Sequence, residues 1–221
     1  MSLFGVFMEK RDELEEKVKQ KTDALIASAV LLIRRAVENG EDFDSIMEDI
    51  MLTTQALSIS ERKVVREHLI EIAEEASEEV GGEDIDAEEI VDTKWLDRGD
   101  EYTNFEDDFD SLKTRTDEVT NDELANGGDA YDVGAVAEST LLLGTDAIIV
   151  TEDTRVINQA EIESYPNGYF VNVSVLDDHV CSECESMDGI EIPTEEMQIG
   201  VNCAPFHTSC RCEVEVYNGE Y

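Results

Sequence analysis

The sequence predicts an α+β protein, mainly α-helical, with a small β module at its C-terminal end. Two observations predict this class. Apolar residues recur at helical spacing over most of the N-terminal region, and two short segments near the C-terminus alternate between apolar and polar residues as strands do. We divide the chain into a helical region (1–82), an extended acidic linker (83–132), and helices that lead into the C-terminal module (133–221).

The N-terminal region is predicted to form three helices. Asn39-Gly40 ends the first, and the second covers Phe43 to Leu57. Ser58-Ile59-Ser60-Glu61 has the capping-box pattern and predicts the start of a third helix, which Gly81-Gly82 ends. The residues predicted to face inward are Leu25, Ala29, Leu32, Ile33, Ala36, Phe43, Ile46, Met47, Ile50, Met51, Val64, Val65, Leu69, Ile72 and Ala76.

Residues 83–132 are rich in Asp, Glu, Thr and Asn and poor in periodic apolar residues, so we interpret them as an extended linker that orders on a partner. Its aromatic residues either anchor the linker on a neighbouring surface or pack back on this chain; they are Trp95, Tyr102, Phe105 and Phe109.

Helix returns from Val133 to Ser164, where Gly144 suggests a break into two helices. After a turn at Pro166-Asn167-Gly168, the segment Tyr169 to Val175 alternates and predicts a strand, with Glu213 to Tyr217 as its partner.

The chain has 55 acidic and 16 basic residues, a formal net charge of −39. This charge argues against direct binding of nucleic acid, which needs clustered Lys and Arg. Three explanations are open: adaptation to high salt, where the Debye length is about 3 Å at 1 M; an acidic surface that mimics DNA or docks on a basic partner; and a disordered acidic segment. The acid excess occurs in every region of the sequence, which favours the high-salt explanation and a halophilic source.

The longest apolar stretch, Ala24 to Ile33, is too short to span a bilayer, and Met1 to Met8 lacks the features of a signal peptide. We therefore expect synthesis in a cytoplasm and no association with a membrane. All five cysteines lie between Cys181 and Cys212, and this odd number argues against a disulfide framework.

Cys181 and Cys184 form a Cys-x-x-Cys pair directly after the predicted strand, and His207 and Cys210 form a His-x-x-Cys pair. Sulfur and nitrogen ligands from two neighbouring turns suit tetrahedral zinc. The predicted zinc ligands are Cys181, Cys184, His207 and Cys210, with Cys212 as an alternate. Cys203 belongs to neither pair, and His179 is interpreted as a solvent-facing turn residue.

A redox Cys-x-x-Cys, an iron–sulfur site and disulfides formed after release from the cell are the alternatives to zinc. A catalytic zinc keeps an open position, and the His-x-Glu of zinc deaminases is absent before Cys181. We therefore predict a structural zinc in a β zinc-binding module, with no catalytic residues and no enzymatic activity. Metal binding would supply on the order of 10 kcal/mol of folding free energy.

The segments Asp178 to Cys184, Asp188-Gly189 and Pro205 to Cys212 resemble the C-terminal motif of the Mu F-like phage head-morphogenesis proteins, also called minor capsid or minor head proteins. The likeness extends over about Val133 to Val216, and Thr208-Ser209 departs from the usual Pro-Asn. Residues of the preceding helix that match the family are Thr151, Glu152, Arg155, Asn158 and Ala160.

The resemblance implies a structural minor head protein of a tailed virus, located in the virion and assembled in the host cytoplasm. Its implied partners are the portal and/or the major capsid protein, with self-association around the portal. Two other classes compete: a zinc-dependent enzyme that processes nucleic acid, which needs an open coordination position, and an acidic DNA-mimic inhibitor, which would compete with DNA for an enzyme.

Overall fold

The computed structural model describes residues 3–81, 84–97, 101–175 and 180–216. Its helices are α1 (Leu3–Asn39), α2 (Phe43–Val80), α3 (Ala87–Asp92), α4 (Phe105–Ala125), α5 (Ala130–Ser164) and α6 (Ser182–Met187). Its strands are β1 (Trp95–Asp97), β2 (Glu101–Thr103), β3 (Tyr169–Val173), β4 (Glu191–Pro193) and β5 (Glu213–Val216). The predicted class is confirmed: the described chain is mainly helical, with a small C-terminal sheet.

The chain forms two compact units. Unit 1 comprises Met1–Leu14, Arg66–Asn104 and Ala147–Tyr221, and unit 2 comprises Glu15–Val65 and Phe105–Asp146. Three helices, α1, α2 and α5, contribute residues to both units. The units alternate along the sequence, whereas the predicted parts 1–82, 83–132 and 133–221 are consecutive, and that division stays a prediction.

The core of unit 2 is aliphatic, and helices α1, α2 and α5 contribute its side chains. α1 and α2 are joined by only three residues, and Gly40 in this turn packs so tightly that an added Cβ would lie 2.1 Å from Ile46 Cγ1. The buried cluster consists of Ile33, Ala36, Ile46, Ile50, Val133 and Ala137. Most of the predicted inward-facing residues are buried, but Leu32, Phe43 and Met51 are exposed.

The predicted break at Ser58 is wrong, because α2 is continuous from Phe43 to Val80. Ser58 and Glu61 are both buried inside this helix, so neither caps a helix end. The buried apolar face continues on both sides of the pair, through Leu57 and Val65. Packing of this face outweighs the local capping pattern, since helix stability in proteins comes mainly from tertiary contacts.

The extended character predicted for 83–132 is also wrong, since most of this stretch is α3, the β1–β2 hairpin and α4. α4 buries one stripe at helical spacing: Phe105, Phe109, Leu112, Thr116 and Thr120. The Thr116 and Thr120 hydroxyls donate to backbone carbonyls one turn earlier, at 2.9 and 2.8 Å, so these polar residues are buried without an unpaired group. Because two of the five stripe residues are threonines, the apolar period is weak in the sequence.

The aromatic residues of this stretch pack back on the chain. Trp95, Phe105 and Phe109 are all buried, whereas the side chain of Tyr102 lies outside the described part of the structure. The alternative of an aromatic anchor on a partner is therefore not needed for these three residues.

α5 runs unbroken from Ala130 to Ser164, so the break predicted at Gly144 is wrong. A Cβ at this position would lie 2.2 Å from Leu112 Cδ1, so the glycine permits close packing of α5 against α4. Among the described helices, α5 is long and apolar enough to cross a bilayer by length and composition alone, a property it shares with buried helices of soluble proteins. The absence of membrane association stays a prediction.

The C-terminal sheet has the strand order β4-β3-β5, with both pairs antiparallel. The predicted pairing of the two alternating segments is confirmed, with Asn172 opposite Val214 in register; Tyr217 lies outside the described residues. The sheet buries Phe170 and Val214 in a cluster with Trp95, Ile162, Ile199 and Cys203. This cluster positions the loops that carry the remaining cysteines.

Candidate metal centre

Helix α6 positions the first cysteine pair. Cys181 is the N-cap residue of α6, and its sulfur accepts a hydrogen bond from the Cys184 backbone N–H at 3.4 Å. Cys184 follows in the first turn of the helix and is buried, whereas Cys181 is half-buried. The spacing of three residues therefore turns both sulfurs toward one point, because positions i and i+3 share a face at a helix start.

Residues after β3 and α6 hold this turn in place. The Ser174 hydroxyl donates to the Cys184 carbonyl at 2.7 Å, and the Ser174 N–H donates to Asp188 Oδ1 at 2.8 Å. Gly189 has φ of 72°, a left-handed conformation that glycine adopts without strain, and its N–H donates to the Asn172 carbonyl at 2.8 Å. The Asp-Gly pair of the sequence motif thus ties α6 to β3.

His207 presents its Nε2 atom to both sulfurs of this pair. The distances from Nε2 to Cys181 Sγ and to Cys184 Sγ are both 3.2 Å. On the other side of the ring, Nδ1 lies 2.9 Å from the Thr208 carbonyl oxygen, which can only accept a hydrogen bond. This carbonyl favours the tautomer with its proton on Nδ1, in which the Nε2 lone pair points at the two sulfurs, as in a metal-binding imidazole.

Cys210 and Cys212 complete the group from the neighbouring loop. The candidate ligand atoms form two overlapping triads that share Cys184: one with Cys181 and His207, the other with Cys210 and Cys212. Within each triad the ligand atoms lie within 4.8 Å of one another. All five cysteines are free in this structure, and the Cys184 and Cys210 sulfurs lie 3.7 Å apart.

Single distances within the two triads are close to those between zinc ligands, although the four predicted ligands do not form one group within 4.8 Å. With bond lengths of about 2.3 Å to sulfur and 2.0 Å to nitrogen, two ligated sulfurs lie about 3.8 Å apart and a sulfur and a nitrogen about 3.5 Å apart. The separations of 3.7 Å for Cys184 to Cys210 and 3.2 Å for Cys184 to His207 are close to these values. A donor set of thiols and one imidazole also suits zinc, whereas harder cations such as Mg²⁺ and Ca²⁺ prefer oxygen ligands.

The thiols are not equivalent. The backbone hydrogen bond from Cys184 lowers the pKa of Cys181, whereas burial raises the pKa of Cys184 to about 12. A hydrogen bond between Cys210 and Cys212 lowers the pKa of Cys212 to about 5 and raises that of Cys210. The hydrogen bond between these two thiols therefore favours ionisation of Cys212 over ionisation of Cys210.

The middle of α5 holds the loop that carries His207, Cys210 and Cys212 by side-chain hydrogen bonds to its backbone. Thr154 Oγ1 donates to the Cys210 carbonyl at 2.8 Å, and Thr151 Oγ1 accepts from the Ser209 N–H at 2.7 Å. Asn158 donates from Nδ2 to the Ala204 carbonyl at 2.8 Å and accepts the Val214 N–H at Oδ1, at 3.1 Å. Three buried polar side chains of one helix thus fix both ends of the loop.

A buried ion pair on α5 supports α3 in the same unit. Arg155 lies 2.8 Å from Glu152 through Nε, and its two terminal nitrogens donate to the carbonyls of Ile90 and Val91 at 2.9 and 3.1 Å. These carbonyls belong to the last turn of α3, where the usual donor four residues later in a helix is missing; the Ile90 carbonyl also accepts the N–H of the C-cap residue Thr93. Trp95 Nε1 donates to the other Glu152 oxygen at 2.9 Å, so both oxygens of this buried carboxylate are paired.

The structure brings Cys181, Cys184, His207, Cys210 and Cys212 together. Cys203 lies instead in the cluster beneath the sheet, and His179 lies outside the described residues. Sequence reasoning matched the α5 residues to a family but gave them no role. Their signal was a run of polar residues from Thr151 to Arg155 inside an otherwise apolar helix.

Residues 114–215 match the family described as Phage Mu protein F like protein. The match covers part of α4, all of α5 and the whole candidate metal centre. No curated protein sequence and no solved structure gives a significant match to this chain.

Proposed function

Since residues 114–215 belong to the Phage Mu protein F like family, we propose that this chain is a structural minor head protein of a tailed virus, takes part in head assembly and has no enzymatic activity. The observation that carries this proposal is that the family match and the metal-ligand geometry coincide. The matched segment contains the Cys181–Cys184 pair, the His207–Cys210 pair and the α5 residues that hold the loop of the second pair.

The proposed metal is a structural zinc ion bound by Cys181, Cys184, His207 and Cys210, with Cys212 as the alternate fourth ligand. The orientation of His207 supports this set, because Nε2 faces two sulfurs while Nδ1 is occupied by a carbonyl. When bound, zinc would cross-link α6 to the following loop. Such a link would stabilise a segment whose own apolar core is small.

A structural role fits the surroundings of the site better than catalysis. The cavity at the site has a volume of about 20 Å³, less than the volume of a small substrate. The described residues that line the cavity are Val175, Val180, Cys181, Cys184, His207, Ser209, Arg211 and Cys212. None of them has a carboxylate that would serve as a general base. With four thiolate and imidazole ligands around one ion, the coordination sphere would be closed, with no position left for water or substrate.

The proposed partners are the portal and/or the major capsid protein, with self-association around the portal, inside a virion assembled in the host cytoplasm. The net charge of −39 supports a protein partner over nucleic acid, since a chain with this charge repels phosphates.

Metal analysis of the purified chain, together with the protein composition of purified particles, tests the proposal. We expect one zinc per chain for the wild type and for Cys203→Ser, a matched variant of a buried cysteine outside the site, but loss of zinc in Cys184→Ser. Cobalt substitution then identifies the fourth ligand: Cys210→Ser should weaken the thiolate-to-cobalt absorption, and Cys212→Ser should leave it unchanged.

Particles produced with the Cys184→Ser chain should assemble fewer filled heads than particles produced with the Cys203→Ser chain. Zinc in the wild type without any head defect in Cys184→Ser would leave the metal site standing and overturn its role in assembly. Disulfides between the site cysteines in the native protein would overturn the metal site itself.

A further inference from the structure

A groove on unit 2 lies between α1 and α2, and none of the metal-ligand candidates lines it. It has a volume of about 630 Å³, and the apolar part of its lining consists of leucines and alanines of the two helices. Leu32 is 51% exposed and Leu52 is 63% exposed. The described lining residues are Leu32, Arg35, Ala36, Asn39, Gly40, Glu41, Asp42, Ser45, Asp49, Leu52, Thr53 and Ala56.

The exposed apolar surface continues along α2. Leu52, Ala56 and Ile59 are all exposed and follow one another at spacings of four and three residues, so they share one face of the helix. The opposite face of α2 in unit 2 already packs in the aliphatic core through Ile46 and Ile50. A second apolar face on one helix of a soluble protein marks an interaction surface, because contiguous exposed apolar patches are otherwise kept small.

The rim of the groove carries mostly negative charge. Glu41, Asp42 and Asp49 face one basic residue, Arg35. Outside the groove, exposed acids continue on the same helices, at Glu38, Asp44 and Glu48. This charge disfavours a second copy of this acidic chain as the occupant and favours a segment with basic flanks.

We propose that this groove binds an amphipathic helix of a partner protein, with an apolar stripe that contacts Leu32 and Leu52 and with Lys or Arg residues that meet the acidic rim. Two antiparallel helices joined by a three-residue turn present an elongated groove, which is the form in which helix-in-groove recognition occurs. The inference goes beyond the proposed assembly function, because it names a surface and a partner chemistry that do not involve the metal centre.

The probe for the test is a synthetic peptide of about 18 residues, five helical turns, built from Leu and Lys with the leucines on one face. A second peptide has the same composition in an order that spreads the leucines around the helix. Binding to the full-length, metal-loaded chain is measured by fluorescence anisotropy at about 1 M salt, where charge attraction alone is largely screened. We expect the amphipathic peptide to bind at least about tenfold more tightly than the permuted one.

Leu52→Ser should weaken binding of the amphipathic peptide by about tenfold, because the lost contact is apolar. Leu143→Ser is the matched control, since Leu143 is 73% exposed, lies on α5 and does not line the groove. In the unmutated chain labelled with methyl-¹³C methionine, the peptide should shift the signal of Met51, next to Leu52, and not that of Met187 in α6.

Equal binding of the two peptides, equal loss in Leu52→Ser and Leu143→Ser, or an unshifted Met51 signal would each refute the inference. Concentration-dependent dimers of the wild type that Leu52→Ser abolishes would replace the partner helix by a second copy of this chain. None of these readouts depends on zinc, so failure here leaves the proposed function untouched, and loss of the metal site would leave this surface in place.

Discussion

Unit 2 packs around an aliphatic cluster contributed by helices and buries single polar side chains, whereas unit 1 buries a continuous run of charged and polar side chains on α5. In unit 2 the central cluster is made of isoleucine, valine and alanine. In unit 1, Thr151, Thr154 and Asn158 bond to the backbone of the loop that carries three metal-ligand candidates. A small β module thus obtains its fixed shape from hydrogen bonds to one helix and, under our proposal, from a metal ion, rather than from apolar burial alone.

Removal of the metal should produce the largest difference between the two units. Because a structural zinc supplies on the order of 10 kcal/mol, a strong chelator should unfold the segment from residue 168 to residue 216 while residues 15–65 stay helical. Hydrogen exchange followed by mass spectrometry measures protection in each segment. Equal loss of protection in both segments would show that the units depend equally on the site, and no loss in either would rule out a stabilising metal.

Arg155→Ala should cost about 3–5 kcal/mol in the free energy of unfolding, because it removes the only positive charge hydrogen-bonded to the buried Glu152 carboxylate among the described contacts and takes away one donor from each of two α3 carbonyls. Arg155→Lys should cost nearly as much, since an ammonium group cannot reach all three acceptors at once.

Urea unfolding measures both changes. Arg66→Ala is the matched control, because Arg66 is a partly exposed arginine of the same unit whose ion pairs with the exposed acids Glu88 and Asp92 are worth at most about 1 kcal/mol each. A similar loss for Arg155→Ala and Arg66→Ala would contradict the importance of the buried polar run.

Glu61 gives unit 2 its own buried charge, which makes stability depend on pH. Burial raises the pKa of Glu61 from the ordinary 4.5 to about 7, although a hydrogen bond from Thr145 at 3.0 Å opposes this rise. Between pH 4.5 and 7 the folded state binds more protons than the unfolded state, so this group lowers stability as the pH rises.

Glu61→Gln should therefore stabilise the chain by up to about 3 kcal/mol at pH 8 and by little at pH 4.5, since one pKa unit corresponds to about 1.4 kcal/mol. Thermal unfolding at the two pH values measures the difference. Glu48→Gln removes the same charge from an exposed position of α2 and should change stability little at either pH. A pH-independent effect of Glu61→Gln would show that the buried carboxyl is not the cause.

The sequence could indicate which cysteines and which histidine lie near one another because each pair is local: Cys181 and Cys184 lie on one turn, and His207 and Cys210 lie on another. Their role as metal ligands stays a prediction. The same holds for β3 and β5, whose alternation directly reflects burial on one face. The errors occurred where packing between distant segments decided the outcome. Ser58 resembles a helix cap, and Gly144 resembles a helix break. The two helices nevertheless continue, because Ser58 is buried within α2 and Gly144 of α5 packs closely against Leu112 of α4.

The smallest expected effect concerns one backbone conformation at the metal centre. Ser209 has φ of 60°, in the left-handed region where residues with a Cβ are strained and asparagine is better tolerated than serine. Ser209→Asn should raise the free energy of unfolding by about 0.5 kcal/mol, since it relieves part of a strain of about 1–2 kcal/mol and keeps the N–H that donates to Thr151.

Urea unfolding of the zinc-loaded chain measures this gain, with Ser186→Asn, an exposed helical position in α6, as the control. Asparagine should slightly destabilise α6 there, because its side chain competes for backbone hydrogen bonds inside a helix. Gains of equal size at both positions would trace the effect to the residue type and not to the backbone of the loop. A gain confined to Ser209 would show that unit 1 keeps local strain beside the candidate metal centre and would support a role of the α5 hydrogen bonds in holding it there.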